Sequence, residues 1–309
     1  MSHNMVSVII PTYQALEHLK MTIRSLEKQK IDPHRFEVIV IDDGSDDQTE
    51  LWLTQYNGRV DLKPIIFKEN KGRSAARNAG AALAANPILI FLDGDMELGP
   101  DYVSHHAKWH TDPNLIIVGR VIYQADLRKH GYARYLEKRG AMKFKRGVRI
   151  PGRYFLSGNS SMSKETFANV EGFSESIRHY GEDLDLGIRL EKAGMTLKYD
   201  PDLVVSHLHI RSFTQALRTA YEYGFQSLPG LVNTHLELKS QLHLDWFEGN
   251  NIAVIFKRMI LTGPVYFPLL AINSVLNEFA APAFLYSYLI FRNYFCGYRD
   301  RVRSNLHND

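Results

Sequence analysis

Between Val6 and Leu92, short apolar, β-branched runs alternate with amphipathic stretches. This alternation restricts the fold more than any other feature of the chain. Val6–Ile10, Phe36–Ile41, Ile65–Phe67 and Ile88–Leu92 read as buried strands. Leu16–Lys28 places Leu19, Ile23 and Leu26 on one helical face, and Gln48–Tyr56 suits a short helix. Ser74–Ala85 is an alanine-rich helix stopped by Asn86-Pro87. Strands joined by helices predict a mainly parallel α/β sheet covered on both faces. Such sheets bind ligands at the carboxyl ends of their strands. Asp42-Asp43-Gly44-Ser45 follows the second strand and Asp93-Gly94-Asp95 the fourth, so both acidic clusters are expected at that edge.

Farther along, Leu115–Tyr123 is another strand, and the small polar residues Ser157–Ser163 read as a loop. Ser163 suits the N-cap of a short helix beginning at Lys164. Leu184–Ala193 reads as a helix ended by Gly194, and Leu197–His207 as an extended segment interrupted by Pro201. From Ser212 onward the pattern is mostly helical. The expected organisation is an α/β domain over 1–210 and a helical, apolar and basic extension over 211–309.

The 309 residues are 45% hydrophobic and 23% charged, values that exclude wholesale disorder and a polytopic membrane protein. Cys296 is the sole cysteine, which excludes an intrachain disulfide and a multi-cysteine zinc site. Val6–Ile10 is short, lacks a basic flank and ends at Pro11, so no signal peptide is expected and the predicted compartment is the cytoplasm. The net charge of +3 conceals an uneven distribution. Residues 128–153 hold ten Lys or Arg and one acid, Glu137, whereas 1–127 and 154–256 are each net acidic.

Several clusters carry chemistry. Asp93 and Asp95 are two apart at a strand end, a pairing suited to a hard cation such as Mg²⁺ or Mn²⁺ that neutralises a diphosphate. A solvated acidic turn has the same composition. Asp42 and Asp43 could accept hydrogen bonds from a base or a ribose hydroxyl, or cap the next helix. Asn70-Lys71-Gly72-Arg73 leads into a helix that carries Arg77, an arrangement suited to an anion. The chain has no Walker-type loop and no Gly-x-Gly-x-x-Gly, which argues against P-loop NTPases and Rossmann dehydrogenases. Glu182 and Asp183 open a helix, where a carboxylate serves as a general base or as a cap. The helix dipole lowers its pKa, so a base there requires burial to oppose the dipole. His207 or His209 could complete the coordination of a cation held by Asp95.

The order of these signals is more specific than any one of them. Pro11-Thr12-Tyr13, Asp42-Asp43-Gly44-Ser45-Asp46-Asp47, Asn70-x-Gly72, Ala76-Arg77-Asn78-x-Gly80, Phe91-Leu92-Asp93-Gly94-Asp95, Gly158-Asn159, Gly172-Phe173, Gly181-Glu182-Asp183-Leu184-Asp185 and His207 follow one another along the chain. The series resembles the family 2 glycosyltransferases over about residues 5–225. That resemblance implies a GT-A nucleotide-sugar-binding fold with a mixed, mainly parallel sheet. It implies transfer from a nucleotide sugar, by default UDP-linked, to a hydroxyl acceptor with inversion at the anomeric carbon. Mn²⁺ or Mg²⁺ is the implied cofactor. Pro11, Thr12 and Tyr13 would line the nucleoside pocket, and Asp42 or Asp43 would contact the base. Asn70, Gly72 and Arg77 would lie near the nucleotide. Asp93, with Gly94, would meet the ribose or the metal, and Asp95 and His207 would hold the metal. Asp183 would be the general base and Glu182 its support.

Processive members of the family carry Gln-x-x-Arg-Trp and several membrane spans. Here Gln215-Ala216-Leu217-Arg218 is followed by Thr219, so the resemblance implies addition of one sugar at a time. The implied setting is bacterial-type surface polysaccharide or glycolipid assembly, with a glycan or lipid-linked acceptor. A non-catalytic sugar-nucleotide-binding assembly protein is one alternative. A nucleotidyltransferase is another, but it should carry a glycine-rich basic loop where Pro11-Thr12-Tyr13 stands.

The 128–153 block would line the acceptor side or face an anionic membrane; no nucleic-acid module accompanies it, so nucleic acid is not an expected partner. Met259–Asn277 and Phe279–Phe291 are uncharged and flanked by Lys257, Arg258 and Arg292. Pro264, Pro268, Asn273, Asn277 and Glu278 argue against a true span and for interfacial helices on the inner membrane face. Packing on the catalytic domain and a homodimer interface are the competing expectations.

Overall fold

The computed structural model describes residues 5–247, 252–276 and 281–306, in two compact units. The first comprises residues up to 124 together with 137–178 and 182–209. Its centre is an eight-stranded sheet: β1 (Val6–Thr12), β2 (Phe36–Asp42), β3 (Asp61–Ile66), β4 (Ile88–Leu92), β5 (Met96–Leu98), β6 (Leu115–Tyr123), β7 (Asn159–Ser163) and β8 (Thr196–His207). The spatial order is β3-β2-β1-β4-β7-β6-β8-β5. β1, β2, β3 and β4 pair in parallel, as do β6 and β8, while β7 is antiparallel to both its neighbours and β5 to β8. The sheet is mixed and mainly parallel.

Side chains two apart on a strand share a face, and the core divides accordingly. Val8 and Ile10 of β1 and Val38 and Val40 of β2 pack with Leu19, Ile23 and Leu26 of helix α1 (Leu16–Leu26). Ile9, Ile39 and Ile41 face the other way, with Ala76 and Ala81 of α3 (Arg73–Leu83) and Leu186 and Leu190 of α7 (Glu182–Lys192). Gly80 permits the close approach of α3, since a Cβ there would meet Ile9 Cγ2 at 2.6 Å. The short helices α2 (Thr49–Thr54), α4 (Tyr102–Trp109) and α6 (Lys164–Asn169) complete this unit. Ser163 caps α6 by accepting from the Thr166 N–H at 3.0 Å.

Three sequence expectations change. Ser157–Ser163 was expected as a loop, but residues 159–163 are a fully buried strand in the sheet. Its serines lack apolar bulk; Ser161 and Ser163 hydrogen-bond inside the fold, while Ser160 Oγ is buried without a partner. The third strand begins at Asp61, earlier than expected. It pairs only with β2, and an edge position tolerates its Pro64. Pro201 does not break the last extended segment. β8 continues through it, with the pairing shifting from Gly119↔Asp200 to Arg120↔Val204.

The second unit comprises 125–136, 179–181 and 210–309. Its helices are α5 (Gly131–Leu136), α8 (Phe213–Glu222), α9 (Leu228–Thr234), α10 (Leu238–Gln241), α11 (Ile252–Met259), α12 (Gly263–Leu276) and α13 (Ala283–Leu306). An aromatic core of Tyr132, Tyr135, Phe213, Tyr266 and Tyr286 joins α5, α8, α12 and α13. Asn277, Glu278 and Phe279 lie outside the described residues. The basic block belongs to both units, and part of it is already paired. Arg146 donates to Asp202 at 2.6 Å, Lys129 pairs with Asp126, and Arg134 donates to the carbonyls of Arg128 and Lys129. Gln215 closes a capping box with Ser212 and Arg218 pairs with Glu222 at 2.9 Å, so Gln-x-x-Arg here is a capped, exposed helix surface.

Candidate active site

The sheet gathers the sequence-predicted residues at one edge. Thr12 ends β1, Asp42 ends β2, Asp93 follows β4 and His207 ends β8. β7 runs the opposite way and starts there, with Asn159 opposite Leu92, which brings Ser157 and Gly158 to the same edge.

At the β1–β2 end, Pro11 and Thr12 are buried and Tyr13 is 50% exposed, leaving a ring face available for stacking. Thr12 Oγ1 and Asp42 Oδ2 are buried without a hydrogen-bond partner, while Asp42 Oδ1 accepts from the Ser45 N–H at 3.0 Å. Asp43 is engaged differently: its two oxygens accept from the Lys71 and Gly72 N–H groups at 2.7 and 2.9 Å. Burial raises its pKa, and those two N–H groups oppose the rise. Asp42 therefore retains a free oxygen, and Asp43 fastens the loop that carries exposed Asn70 and half-buried Gly72.

Arg77 is 1% exposed and faces the interior. Its guanidinium donates to Asp93 Oδ1 at 2.8 Å and to Glu182 Oε1 at 3.4 Å, and Arg73 reaches the same Glu182 oxygen at 3.0 Å. The expectation of a phosphate-facing Arg77 is replaced by a buried cation beneath two carboxylates. Burial works to raise the Asp93 pKa, but the charges of Arg77 and Arg73 and the Arg77 hydrogen bond outweigh it, and the net shift is downward.

Gly94 and Asp95 lie in the turn between β4 and β5, so the two aspartates do not share one extended face as their spacing suggested. Asp93 turns to Arg77, while Asp95 Oδ2 lies 3.5 Å from His207 Nδ1. Gly94 is buried; its carbonyl accepts from Thr22 Oγ1 at 2.9 Å. The His209 ring lies 6.0 Å from that of His18. Burial, then the nearby Asp93 charge, raises the Asp95 pKa against the pull of His207. Among the described residues no three His, Cys, Asp or Glu side chains sit together at metal-holding spacing. Asp95 and His207 form a half-buried carboxylate–imidazole pair. Such a pair fits a divalent ion that takes its remaining ligands from a diphosphate and water.

Asp183 begins α7. Its Oδ2 accepts from the Ser157 N–H at 3.2 Å, and its Oδ1 is buried without a partner. Burial, followed by the charge of Glu182, pushes its carboxyl up to about 6 against Arg77, Ser157 and Arg73. The burial that a base at a helix start requires is present. Gly158 closes the link between the carboxylates. Its carbonyl accepts from the Asp93 N–H at 3.3 Å, and a Cβ there would meet Asp93 Oδ2 at 2.5 Å.

Sequence reasoning missed two features. Tyr123 stacks on His207 with ring centroids 5.4 Å apart, a pairing that the β6–β8 register creates. Behind β7, a buried chain joins α4 to the sheet. Asn159 Nδ2 donates to the carbonyls of Arg120 and Leu203, which leaves its Oδ1 as an acceptor for the Tyr102 hydroxyl at 3.0 Å and His106 Nε2 at 3.3 Å. Nε2 is then the protonated nitrogen of His106. Nδ1 accepts from Ser161 at 2.8 Å, and Ser161 accepts in turn from His110 Nε2 at 2.7 Å. Burial lowers both pKa values, to about 3 for His106 and about 4 for His110. The i, i+4 spacing of His106 and His110 was the available signal.

This architecture is the GT-A glycosyltransferase fold. The mannosyltransferase PcManGT from Pyrobaculum calidifontis, solved with GDP-Man and Mn²⁺, matches with a TM-score of 0.59 and 18% identity, covering 94% of this chain and 86% of that one. Residues 1–349 of S. aureus TarS, solved with UDP-GlcNAc, match with a TM-score of 0.56 and 16% identity over 99% of this chain and 92% of that one. Residues 7–170 fit the model of glycosyl transferase family 2, and 139–212 fit that of the N-terminal domain of galactosyltransferase. The chain belongs to glycosyl transferase family 2. The uncharacterized glycosyltransferase YfnE of Bacillus subtilis is 32% identical over 65% of this chain. Validoxylamine A glucosyltransferase of Streptomyces hygroscopicus subsp. limoneus is 31% identical over 62% of it. These matches span 64% and 49% of the two relatives' own lengths.

Proposed function

We propose that the chain is a metal-dependent, inverting glycosyltransferase that moves one sugar from a UDP-linked donor to a hydroxyl of a glycan or lipid-linked acceptor. The observation that carries this reading is the link from the Asp93–Asp95 turn to Asp183. Arg77 joins Asp93 to Glu182, and Ser157-Gly158 joins Asp93 to Asp183. The site thus holds a cation-seeking pair and a carboxylate whose proton affinity is raised, the two charge types that nucleotide-sugar transfer needs. The neighbours solved with GDP-Man and Mn²⁺ and with UDP-GlcNAc support the donor class.

In this reading Tyr13 stacks on the nucleobase, and Thr12 Oγ1 and Asp42 Oδ2 pair with its polar edge. Asp93, held by Arg77, orients the ribose side of the donor. Asp95 and His207 would hold Mn²⁺ or Mg²⁺, which would supply positive charge to the departing diphosphate. Asp183 Oδ1 takes the proton of the acceptor hydroxyl as that oxygen attacks the anomeric carbon. Glu182 keeps Asp183 proton-hungry by its charge while itself held by Arg73 and Arg77.

The test is a screen of UDP-, GDP- and dTDP-sugars with Mn²⁺, Mg²⁺ or EDTA, following nucleoside diphosphate release and the anomeric configuration of the product. Turnover restricted to UDP-sugars, abolished by EDTA and giving an inverted anomer is the expected result. Retention of configuration, or equal turnover in EDTA, would overturn the mechanism.

A further inference from the structure

Helix α11 repeats its apolar residues at i, i+3, i+4 and i+7, as Ile252, Ile255, Phe256 and Met259. In a water-soluble fold that stripe is the one a helix buries. Here it faces outward: the four residues are 86%, 48%, 67% and 58% exposed. Helix α12 continues the anomaly. It carries no charged residue over 14 positions, and only Tyr266 and Asn273 are buried. Those two lie seven apart, on one stripe. At about 3.6 residues per turn, Phe267, Ile272 and Val275 lie on the other side, and all three are exposed. Phe284, at the start of α13, is 68% exposed.

We infer that the outer faces of α11 and α12 form a docking surface for an anionic lipid bilayer, lying in the interface without crossing it. Length excludes a span: 14 residues rise about 21 Å against a hydrocarbon core of roughly 30 Å. No helix among the described residues is long and apolar enough to cross a membrane. Charge selects the occupant. From Ile252 to Leu276 the charged side chains are Lys257 and Arg258, with no acid; Lys257 is exposed next to Phe256 in sequence, with its Nζ 5.1 Å from the Trp246 ring centroid. Cations next to an exposed apolar stripe match a surface with anionic headgroups above acyl chains. The uncharged outer face of α12 meets the need of the acyl region, which penalises any unpaired charge.

The experiment is co-sedimentation of the full chain with vesicles of phosphatidylcholine alone and of phosphatidylcholine with phosphatidylglycerol, at low and high salt. Phe256→Glu, Phe267→Glu and Lys257→Glu are run in parallel, with circular dichroism to confirm folding; all three sites are exposed. Binding to the anionic vesicles is expected, with partitioning reduced about tenfold by each Phe→Glu change and severalfold by Lys257→Glu or high salt. Absence of vesicle binding, or binding that the Phe→Glu variants share equally, overturns the inference. A concentration-dependent dimer that Phe256→Glu dissociates, without lipid binding, also overturns it and assigns the face to a second copy of the chain. Sugar transfer to a soluble acceptor is measured alongside; its loss would bear on the catalytic proposal and leave the docking result standing.

Discussion

Arg77 donates to Asp93 across 2.8 Å from a position where it is only 1% exposed. A residue whose sequence context suggested an open anion site is thus the internal counter-charge of the site. Its second acceptor, Glu182, belongs to α7, so one guanidinium ties the β4–β5 turn to the helix that carries Asp183.

Replacing Arg77 with Met should leave Asp93 and Glu182 without that counter-charge. The expected loss is roughly 3–5 kcal/mol of stability, because removing one partner strands a buried charge. Urea unfolding reads it directly. Arg77→Lys keeps the charge but loses the two-armed geometry and should fall between. A Met variant as stable as the parent would show that the pair is incidental.

Asp183→Asn should fold and bind nucleotide, and lose transfer by about 10²–10⁴-fold. Its carboxyl is active when ionised, so the rate of the parent should climb as pH rises through about 6 and then level off. The stability effect runs the other way. The folded pKa lies above the ordinary 3.8, so the folded state favours the protonated acid. That stability is complete below about 4 and is lost as pH rises through about 6. Asp183→Asn should therefore melt at a higher temperature than the parent at pH 8, with no such gain at pH 4. Calorimetry at the two pH values distinguishes this from a general change in packing.

Asp95→Asn and His207→Ala should each weaken the enhancement of UDP binding by Mn²⁺. The expected loss is at least the 10–100-fold that removal of an outer-shell partner costs a metal site. Isothermal titration of UDP with and without Mn²⁺ separates this from loss of the nucleoside pocket, because binding without the ion should be unchanged. Equal Mn²⁺ enhancement in the parent and both variants would remove these residues from the metal site.

The His106–Ser161–His110 chain predicts an acid-side weakness. Both imidazoles are neutral in the fold, with pKa values near 3 and 4 against an ordinary 6.5. The unfolded chain takes up protons first, so stability falls as pH drops below about 6.5 and continues to fall to about 3. His106→Gln should flatten that decline, though it lowers stability at pH 7.5. Melting temperatures at pH 7.5 and 5.0 give the comparison, and a parallel offset at both values would contradict it.

The fold was legible where the sequence pattern is driven by burial of apolar surface. β1, β2, β4 and β6 are mostly apolar and rich in β-branched residues, and Thr12, Asp42 and Asp93 stand at or just past the ends of β1, β2 and β4. It was obscure where polar chemistry decides. β7 has the composition of a loop, and hydrogen bonds with residues 39 to 55 positions away hold Asn159 and Ser161 in the strand. The same holds within the site. The spacing of Asp93 and Asp95 announced a pair of carboxylates, but not that a turn would give them different partners. The adjacent Asp42 and Asp43 looked equivalent. Their division into one free oxygen and one loop fastener depends on where Lys71 and Gly72 return to the sheet.

The two contacts of Arg77 also differ in their biosynthetic order. Asp93 is 16 residues downstream of it and Glu182 is 105. A chain emerging from the ribosome can pair β1 through β4 and seat Arg77 against Asp93 well before α7 exists. The central strand β7 is likewise added after both strands it separates. The edge bearing Thr12, Asp42 and Asp93 can thus assemble before the segments that carry Asp183 and His207 have been made.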